Sequence, residues 1–312
     1  MKVFNSPNIE RKFKGSAIAI GNFDGIHIGH KKVFKETKAI AKKNKIKFGV
    51  LTFTPLPVMF FNKKIKNFRI TSEKQKLEIF KKQNVDFVVN IKFNRNFSKI
   101  NAEDFIKKIL YKKIQPKLLA VSKNFKFGRN RQGNVNLLKR FEKNLNYRLL
   151  NIKPLQVSNS IVSSTKIRKY LRNGKVNLAN KLLSRTWSVE GKVNSGKKLG
   201  RKLGFRTCNV NIKNYILPKS GIYAVRVLIQ NKNIFYKGIS YLGARPTFGG
   251  KKVFLETNIF NINKNLYKKR IRVFFVKFLR NDKKFKNSVE LVKQMNKDVI
   301  FAKKGLKTKL VL

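Results

Sequence analysis

Over the first half of the chain, short apolar runs alternate with helical stretches, and beyond about residue 184 that alternation stops. Runs at 16–20 (SAIAI), 47–53 (KFGVLTF), 86–91, 117–121 and 148–153 read as strands. Stretches at 31–43, 72–83 and 102–110 read as helices, with Ser72 as an N-cap and Leu77 and Phe80 on an apolar face. Strands joined through helices form a parallel sheet by right-handed crossovers, covered on both faces. Ligands meet such sheets at the carboxyl ends of the strands. After residue 184, runs at 187–193, 221–230, 234–241, 253–259 and 271–278 are β-like, separated by turns rich in Gly, Asn and Lys, with a helix at 288–296. That pattern predicts an antiparallel barrel or sandwich. Two domains are expected, 1–184 and 185–312.

Composition excludes several classes. The single cysteine, Cys208, forbids an internal disulfide and a cysteine-rich zinc site. No apolar run reaches the ~18 residues of a membrane span, and the N-terminus has no signal-peptide core. A cytoplasmic protein without a membrane partner is expected. The net charge is +60, from 74 Lys+Arg against 14 Asp+Glu. Such a field attracts polyanions. The lysines are spread along the whole chain, however, and accompany abundant Asn, Ile and Phe, all with A/T-rich codons. Compositional drift accounts for this better than a dedicated nucleic-acid surface, so functional nucleic-acid binding is not expected. The field still favours anionic small ligands such as nucleotides.

The only two histidines, His27 and His30, lie in GNFDGIHIGH, just after the first strand. Metal binding needs a third ligand and usually a fourth, and no other histidine exists. Phosphate contact suits the setting better. Glycines admit an anion to the backbone, the following helix offers its N-terminus, and two imidazoles can donate to a triphosphate as charge builds. A second motif, VSSTKIRKYL at 162–171, opens a helix after the last strand of the domain. Ser164 and Thr165 can cap that helix, and Arg168 shares their face one turn on. Hydroxyls, helix N-terminus and guanidinium together make an anion clamp.

In the second half, GKVNSGK nearly spells a phosphate-binding P-loop. Lys198 stands where Ser or Thr is required and the flanks are β-like, so that reading is rejected. The run GKKLGRKLGFRTCN is more informative: Gly196, Gly200 and Gly204 allow a phosphate-covering flap. Thr207 and Asn209 supply hard oxygens suited to Mg²⁺. Glu256 is the only carboxylate between Glu190 and Asp282, and a glutamate beside a hydroxyl can accept its proton.

GNFDGIHIGH, LTFTPLP, VSKNFKFG and VSSTKIR together resemble the FMN adenylyltransferase half of bacterial bifunctional riboflavin kinase/FAD synthetases. The likeness covers nearly all of 15–184. GKKLGRKLGFRTCN, GIYAVRV, LGARPTFGG, FLETNIF, NLYKKRIRVFFVKFLRNDKKF and VKQMNKD resemble the riboflavin kinase half, over about 185–300. The resemblance implies an α/β Rossmann-like nucleotidyltransferase domain followed by an antiparallel, six-stranded β-barrel kinase domain with a C-terminal helix. It implies that riboflavin is phosphorylated to FMN and FMN adenylylated to FAD, with ATP as co-substrate and Mg²⁺ as cofactor. His27 and His30 would contact ATP phosphates, and Ser164, Thr165 and Arg168 would grip them from the other side. Gly21, Phe23, Asp24, Gly29, Asn124 and Arg280 would join the ATP- or flavin-binding residues, and Glu256 would be the kinase base. The chain departs from the family at Leu56 and Asn258, where histidine is usual, at Arg206, where proline is, and at Asn261, where aspartate is. These departures bear mainly on the kinase half.

Three other readings compete. A weakened kinase beside an intact adenylyltransferase would follow if Arg206 distorts the Mg·ATP loop. A relative of class I aminoacyl-tRNA synthetases would explain HIGH, yet the chain is short and has SSTKIR instead of a KMSKS-like loop. A basic nucleic-acid-binding protein on a nucleotidyltransferase fold predicts salt-dependent binding without flavin turnover.

Overall fold

The computed structural model describes residues 1–194, 204–247, 250–262, 264–307 and 310–312. It contains two compact units, one of residues 1–66 and 73–163, the other of residues 67–72 and 164–312.

The first unit is built on six parallel strands, β1 (Lys2–Phe4), β2 (Ala17–Ile20), β3 (Phe48–Thr54), β4 (Phe87–Lys92), β5 (Leu118–Ser122) and β6 (Arg148–Ile152), in the order β1-β4-β3-β2-β5-β6. The helices are α1 (Ile28–Lys43), α2 (Pro57–Phe61), α3 (Glu73–Lys82), α4 (Arg95–Ser98), α5 (Ala102–Asp104) and α6 (Val135–Phe141), and a small hairpin is formed by β7 (Gln156–Val157) and β8 (Ser160–Ile161). The strands are buried on both faces, and their period of two divides the apolar residues into two cores. Ala17, Ala19, Val50 and Val88 pack with Phe34 of α1 and Phe80 of α3. Ile18, Ile20, Leu51 and Val89 face Phe105, Ile106 and Ile109 on the opposite side. Truncating a fully buried ring such as Phe34 costs about 3–5 kcal/mol.

Besides α2, α4, α6 and the hairpin, which the sequence reading did not name, two features of this unit differ from it. β1 adds an edge strand that three residues in a charged terminus do not announce. The helix expected at 102–110 is present but runs on to Ile114, with α5 continuing as a π-helix over Phe105–Ile114 that ends at Gln115 with φ 51°.

The second unit opens with α7 (Ser164–Arg172) and α8 (Val176–Leu183). Six antiparallel strands follow: β9 (Ser188–Asn194), β10 (Thr207–Val210), β11 (Gly221–Ile229), β12 (Phe235–Thr247), β13 (Gly250–Ile259) and β14 (Arg270–Arg280). They close into a barrel in the order β10-β13-β12-β11-β14-β9, and α9 (Ser288–Gly305) completes the unit. Closure resolves the barrel-or-sandwich alternative and removes free edges. Val225, Leu255, Val273 and Phe275 are fully buried, and the buried hydroxyls of Ser240 and Thr257 satisfy each other at 2.8 Å. α8 is tied in by Asn180, which donates to the Phe275 carbonyl at 3.0 Å and accepts from the Trp187 N–H at 2.7 Å. α7 and α8, expected before the boundary at residue 184, thus belong to the same compact unit as the barrel. Among the described residues, no helix is long and apolar enough to cross a membrane.

Candidate active sites

The turn from β2 into α1 is buried and conformationally unusual. Phe23 and Ile26 have φ of 46° and 39°, and Gly25 of 83°. Non-glycine residues persist in that region only where their surroundings fix them. Here Phe23 is 2% exposed, with its ring 4.9 Å from Phe34 and 5.2 Å from His30. Asp24 is buried in the same turn. His27 caps α1: its Nδ1 accepts from the His30 N–H at 3.3 Å. An accepting Nδ1 leaves the imidazole neutral with its proton on Nε2. The two imidazoles stack 3.7 Å apart at 18°, a spacing at which two positive charges would repel. A Cβ on Gly29 would come within 3.1 Å of the His27 ring and 3.5 Å of the Val162 carbonyl. Glycine therefore permits the close approach that seats His27, and it brings the start of VSSTKIR beside the histidine turn. The helix dipole adds positive potential.

Ser164 and Thr165 fall in the first turn of α7, not ahead of it, and Arg168 lies one turn on in the second unit. Arg168 is 7% exposed. Its Nε donates to the Phe68 carbonyl at 3.0 Å, and its guanidinium lies 3.7 Å from the Phe68 ring centroid. One residue thus sets both the edge and the plane of the guanidinium. The 67–72 segment that presents Phe68 is fastened to the barrel unit. The Trp187 indole donates to the Ile70 carbonyl at 2.8 Å, the Ile216 N–H to the Arg69 carbonyl at 2.7 Å, and the Ser72 hydroxyl to Glu190 at 3.0 Å. Nothing in the sequence pairs Phe68 with Arg168.

The kinase candidates are organised by strand register. Asn209 of β10 stands directly opposite Glu256 of β13, and Thr207 opposite Asn258. On its other side Glu256 faces Tyr241 of β12, whose partner on β11 is Ile222, itself opposite Arg280 of β14. Leu255 and Thr257 are fully buried while Glu256 is half-buried, so this row runs along the outside of the barrel. Cross-strand neighbours on one face lie about 5 Å apart at Cβ. Thr207, Asn209 and Glu256 are thus gathered on one patch.

Two departures from the family meet here as well: the Asn258 side chain donates to the Arg206 carbonyl at 2.7 Å, fixing the entry to Thr207. Asn261 takes φ 58° after β13, a conformation asparagine and aspartate share. Cys208 points inward, and burial pushes its thiol up to about 11.

Arg280 ends the row in a different role from simple exposure to a ligand. Its Nε and NH2 donate to the Asp298 carboxylate of α9 at 2.9 and 2.7 Å, and its NH1 to the Asn281 carbonyl at 3.0 Å. Tyr241 donates to Asp282 at 2.7 Å. Gly204 has φ 81° with open space around it, whereas Gly196 and Gly200 lie outside the described residues.

Asn124 is exposed in the turn after β5. Beyond the ends of β3 and β4, an aromatic cluster that the sequence reading did not single out joins Phe60, Phe61, Phe93 and Phe97, with neighbouring centroids 5.3–5.7 Å apart. Phe61 is 68% exposed. Leu56, where the family usually has histidine, is buried.

Among the described residues no three His, Cys, Asp or Glu side chains gather as a metal site. Mg²⁺ often keeps waters and takes phosphate oxygens with few protein ligands, so the neutral oxygens of Thr207 and Asn209 beside Glu256 fit that ion.

Comparison with known proteins places both halves. Residues 9–166 match the FAD synthetase family model, and residues 183–306 the riboflavin kinase model. A bifunctional riboflavin kinase/FMN adenylyltransferase from Buchnera aphidicola subsp. Schizaphis graminum is 38% identical over 95% of this chain and 96% of its own. Enzymes of the same description from Haemophilus influenzae and Escherichia coli K12 are 34% and 31% identical, covering 95% and 93% of this chain and 96% and 92% of theirs. A crystal structure described as a macrolide-efflux protein from Streptococcus pneumoniae shares the fold, with TM-score 0.86 at 24% identity over 96% of this chain and 98% of that one. With a family model on each half and relatives aligned almost end to end, the chain belongs to the bifunctional riboflavin kinase/FMN adenylyltransferase family.

Proposed function

We propose that this chain phosphorylates riboflavin to FMN and adenylylates FMN to FAD, each time with ATP. The observation that carries the reading is the presence on one chain of a family match for each half, over residues 9–166 and 183–306. In the kinase reaction the ribityl 5′-hydroxyl attacks the γ-phosphorus and ADP leaves. Glu256 accepts the hydroxyl proton. Thr207 and Asn209 would hold Mg²⁺, which when bound neutralises charge on the phosphates. Asn258 keeps Thr207 in place through the Arg206 carbonyl, which supports an active kinase despite both departures. Arg280, clasped by Asp298, serves the flavin or nucleotide by fixing α9 against β14.

In adenylyl transfer an FMN phosphate oxygen attacks the α-phosphorus and pyrophosphate leaves, with no protein nucleophile. Catalysis is positioning and charge stabilisation. His27, neutral with Nε2–H outward from its cap, and His30 donate to the phosphates. Gly21, Phe23, Asp24 and Gly29 shape the turn, and Ser164, Thr165 and Arg168 add phosphate contacts. The aromatic cluster beyond β3 and β4, with Phe61 exposed, suits a flat flavin ring, and Asn124 serves the nucleotide or flavin. Along the chain, the two functional halves divide near Ser184, as 1–184 and 185–312. The site of action is the cytoplasm, and the +60 charge serves small anions, with no polynucleotide partner.

Separate incubations with riboflavin and with FMN, each with Mg·ATP, followed by chromatography, test the proposal. FMN and FAD are expected from the first and FAD from the second. No flavin product in either would overturn it.

A further inference from the structure

Lys76 of α3 is 2% exposed, and lysines are almost never buried so completely unless paired. Its ammonium lies 3.3 Å from Glu73 Oε2 and donates to Thr52 Oγ1 at 3.3 Å. The Thr52 hydroxyl passes its single proton to the Asn22 carbonyl at 3.2 Å. On the other side, Thr54 Oγ1 lies 2.9 Å from Glu73 Oε2 and 2.8 Å from Asn90 Oδ1. This chain of polar groups runs across the carboxyl ends of β3 and β4 and ends on the backbone between Gly21 and Phe23. That is the turn whose φ values are unfavourable and whose far side carries His27 and His30.

A buried ion pair is weak evidence for stability, since apolar side chains of like volume often serve as well or better. A reason for keeping a charge here is its grip on the turn. We propose that Lys76 is a positioning residue for adenylyl transfer. Acting through the Thr52 hydroxyl, it fixes the Asn22 carbonyl and so the turn that delivers the two histidines. The proposal rests on the reading that those histidines contact ATP phosphates.

The test uses the full chain, with kcat and KM for ATP measured in FMN adenylylation and riboflavin phosphorylation followed in the same preparations. Thr52→Val removes the hydroxyl at nearly constant volume, Thr52→Ser keeps it, and Lys76→Met removes the charge. Lys76→Met is expected to lower kcat/KM for adenylylation about thirtyfold, chiefly in kcat, as misplacement of reacting groups does. Thr52→Val is expected to lower it about fivefold, Thr52→Ser to stay within about twofold, and the double variant Lys76→Met/Thr52→Val to be no worse than Lys76→Met, as linked residues behave. Riboflavin phosphorylation stays within about twofold throughout, because the kinase row shares no residue with this chain of contacts.

If Lys76→Met loses both activities through misfolding, the Thr52 pair decides. A loss in Thr52→Val with none in Thr52→Ser supports the proposal, and equal rates overturn it. A normal rate for Thr52→Val alongside a disabled His27→Ala overturns the proposal alone. A normal rate for His27→Ala overturns the histidine assignment and the proposal with it.

Discussion

The two units place chemistry on their frameworks in opposite ways. In the parallel sheet, candidate groups sit where strands end and helices begin, on a turn whose backbone is bent into unfavourable φ values and braced from beneath. In the barrel, they sit on the strands themselves, on the outer face, aligned by register. The first arrangement depends on turn geometry and close approach, as at Gly29. The second depends on pairing: a slip of one residue in β13 would turn Glu256 into the core and Leu255 out. Damage to the first site should therefore come from local turn changes. Damage to the second should come from single side chains in the Asn209–Glu256–Tyr241 row.

Substitutions that separate the activities sharpen this contrast. Glu256→Gln is expected to lower riboflavin phosphorylation by about a thousandfold while leaving FAD formation from FMN intact, because the proton acceptor is lost but not the fold. Equal loss of both activities would show that the row also serves adenylyl transfer. His27→Ala is expected to lower adenylylation about a hundredfold, the size of a lost donor to developing charge, with FMN formation unchanged by chromatography.

Arg168→Lys should cost about tenfold in adenylylation despite keeping the charge, since an ammonium can neither stack flat on Phe68 nor hold Nε geometry. A fully active lysine variant would mean that charge alone matters there. The smallest effect is expected for Asn258→Ala, which frees the Arg206 carbonyl and should raise the kinase KM for ATP about threefold. Steady-state titration of ATP checks it.

What the sequence made legible follows the same division. The histidine turn is local: glycines, imidazoles and the start of a helix lie within ten residues, so both its place and its chemistry can be read directly. The five strands of that sheet read from the sequence were bounded within a residue at each end, since buried parallel strands read as continuous apolar runs. The short edge strand Lys2–Phe4 carries no such run.

In the barrel, Glu256 stood out because acids are scarce, and Thr207 and Asn209 because their oxygens suit a hard cation. That Asn209 lies directly across from Glu256 is a fact of non-local pairing that no spacing encodes. β10 itself, four residues at the end of a glycine-rich run, carries no apolar run that would mark a strand. Phe68 beside Arg168 and Lys76 behind Asn22 were hidden for the same reason: each contact joins distant segments through side chains common everywhere in this lysine- and phenylalanine-rich chain.

The central claim is that two separate sites on one chain act in succession. Mixing Glu256→Gln with the double variant His27→Ala/His30→Ala, then supplying riboflavin and Mg·ATP, tests it most directly. Neither variant alone should convert riboflavin to FAD, whereas the mixture should, as FMN made by the intact kinase is adenylylated by the intact transferase. FAD from either variant alone, or none from a mixture whose members each retain their own half-reaction, would contradict the account.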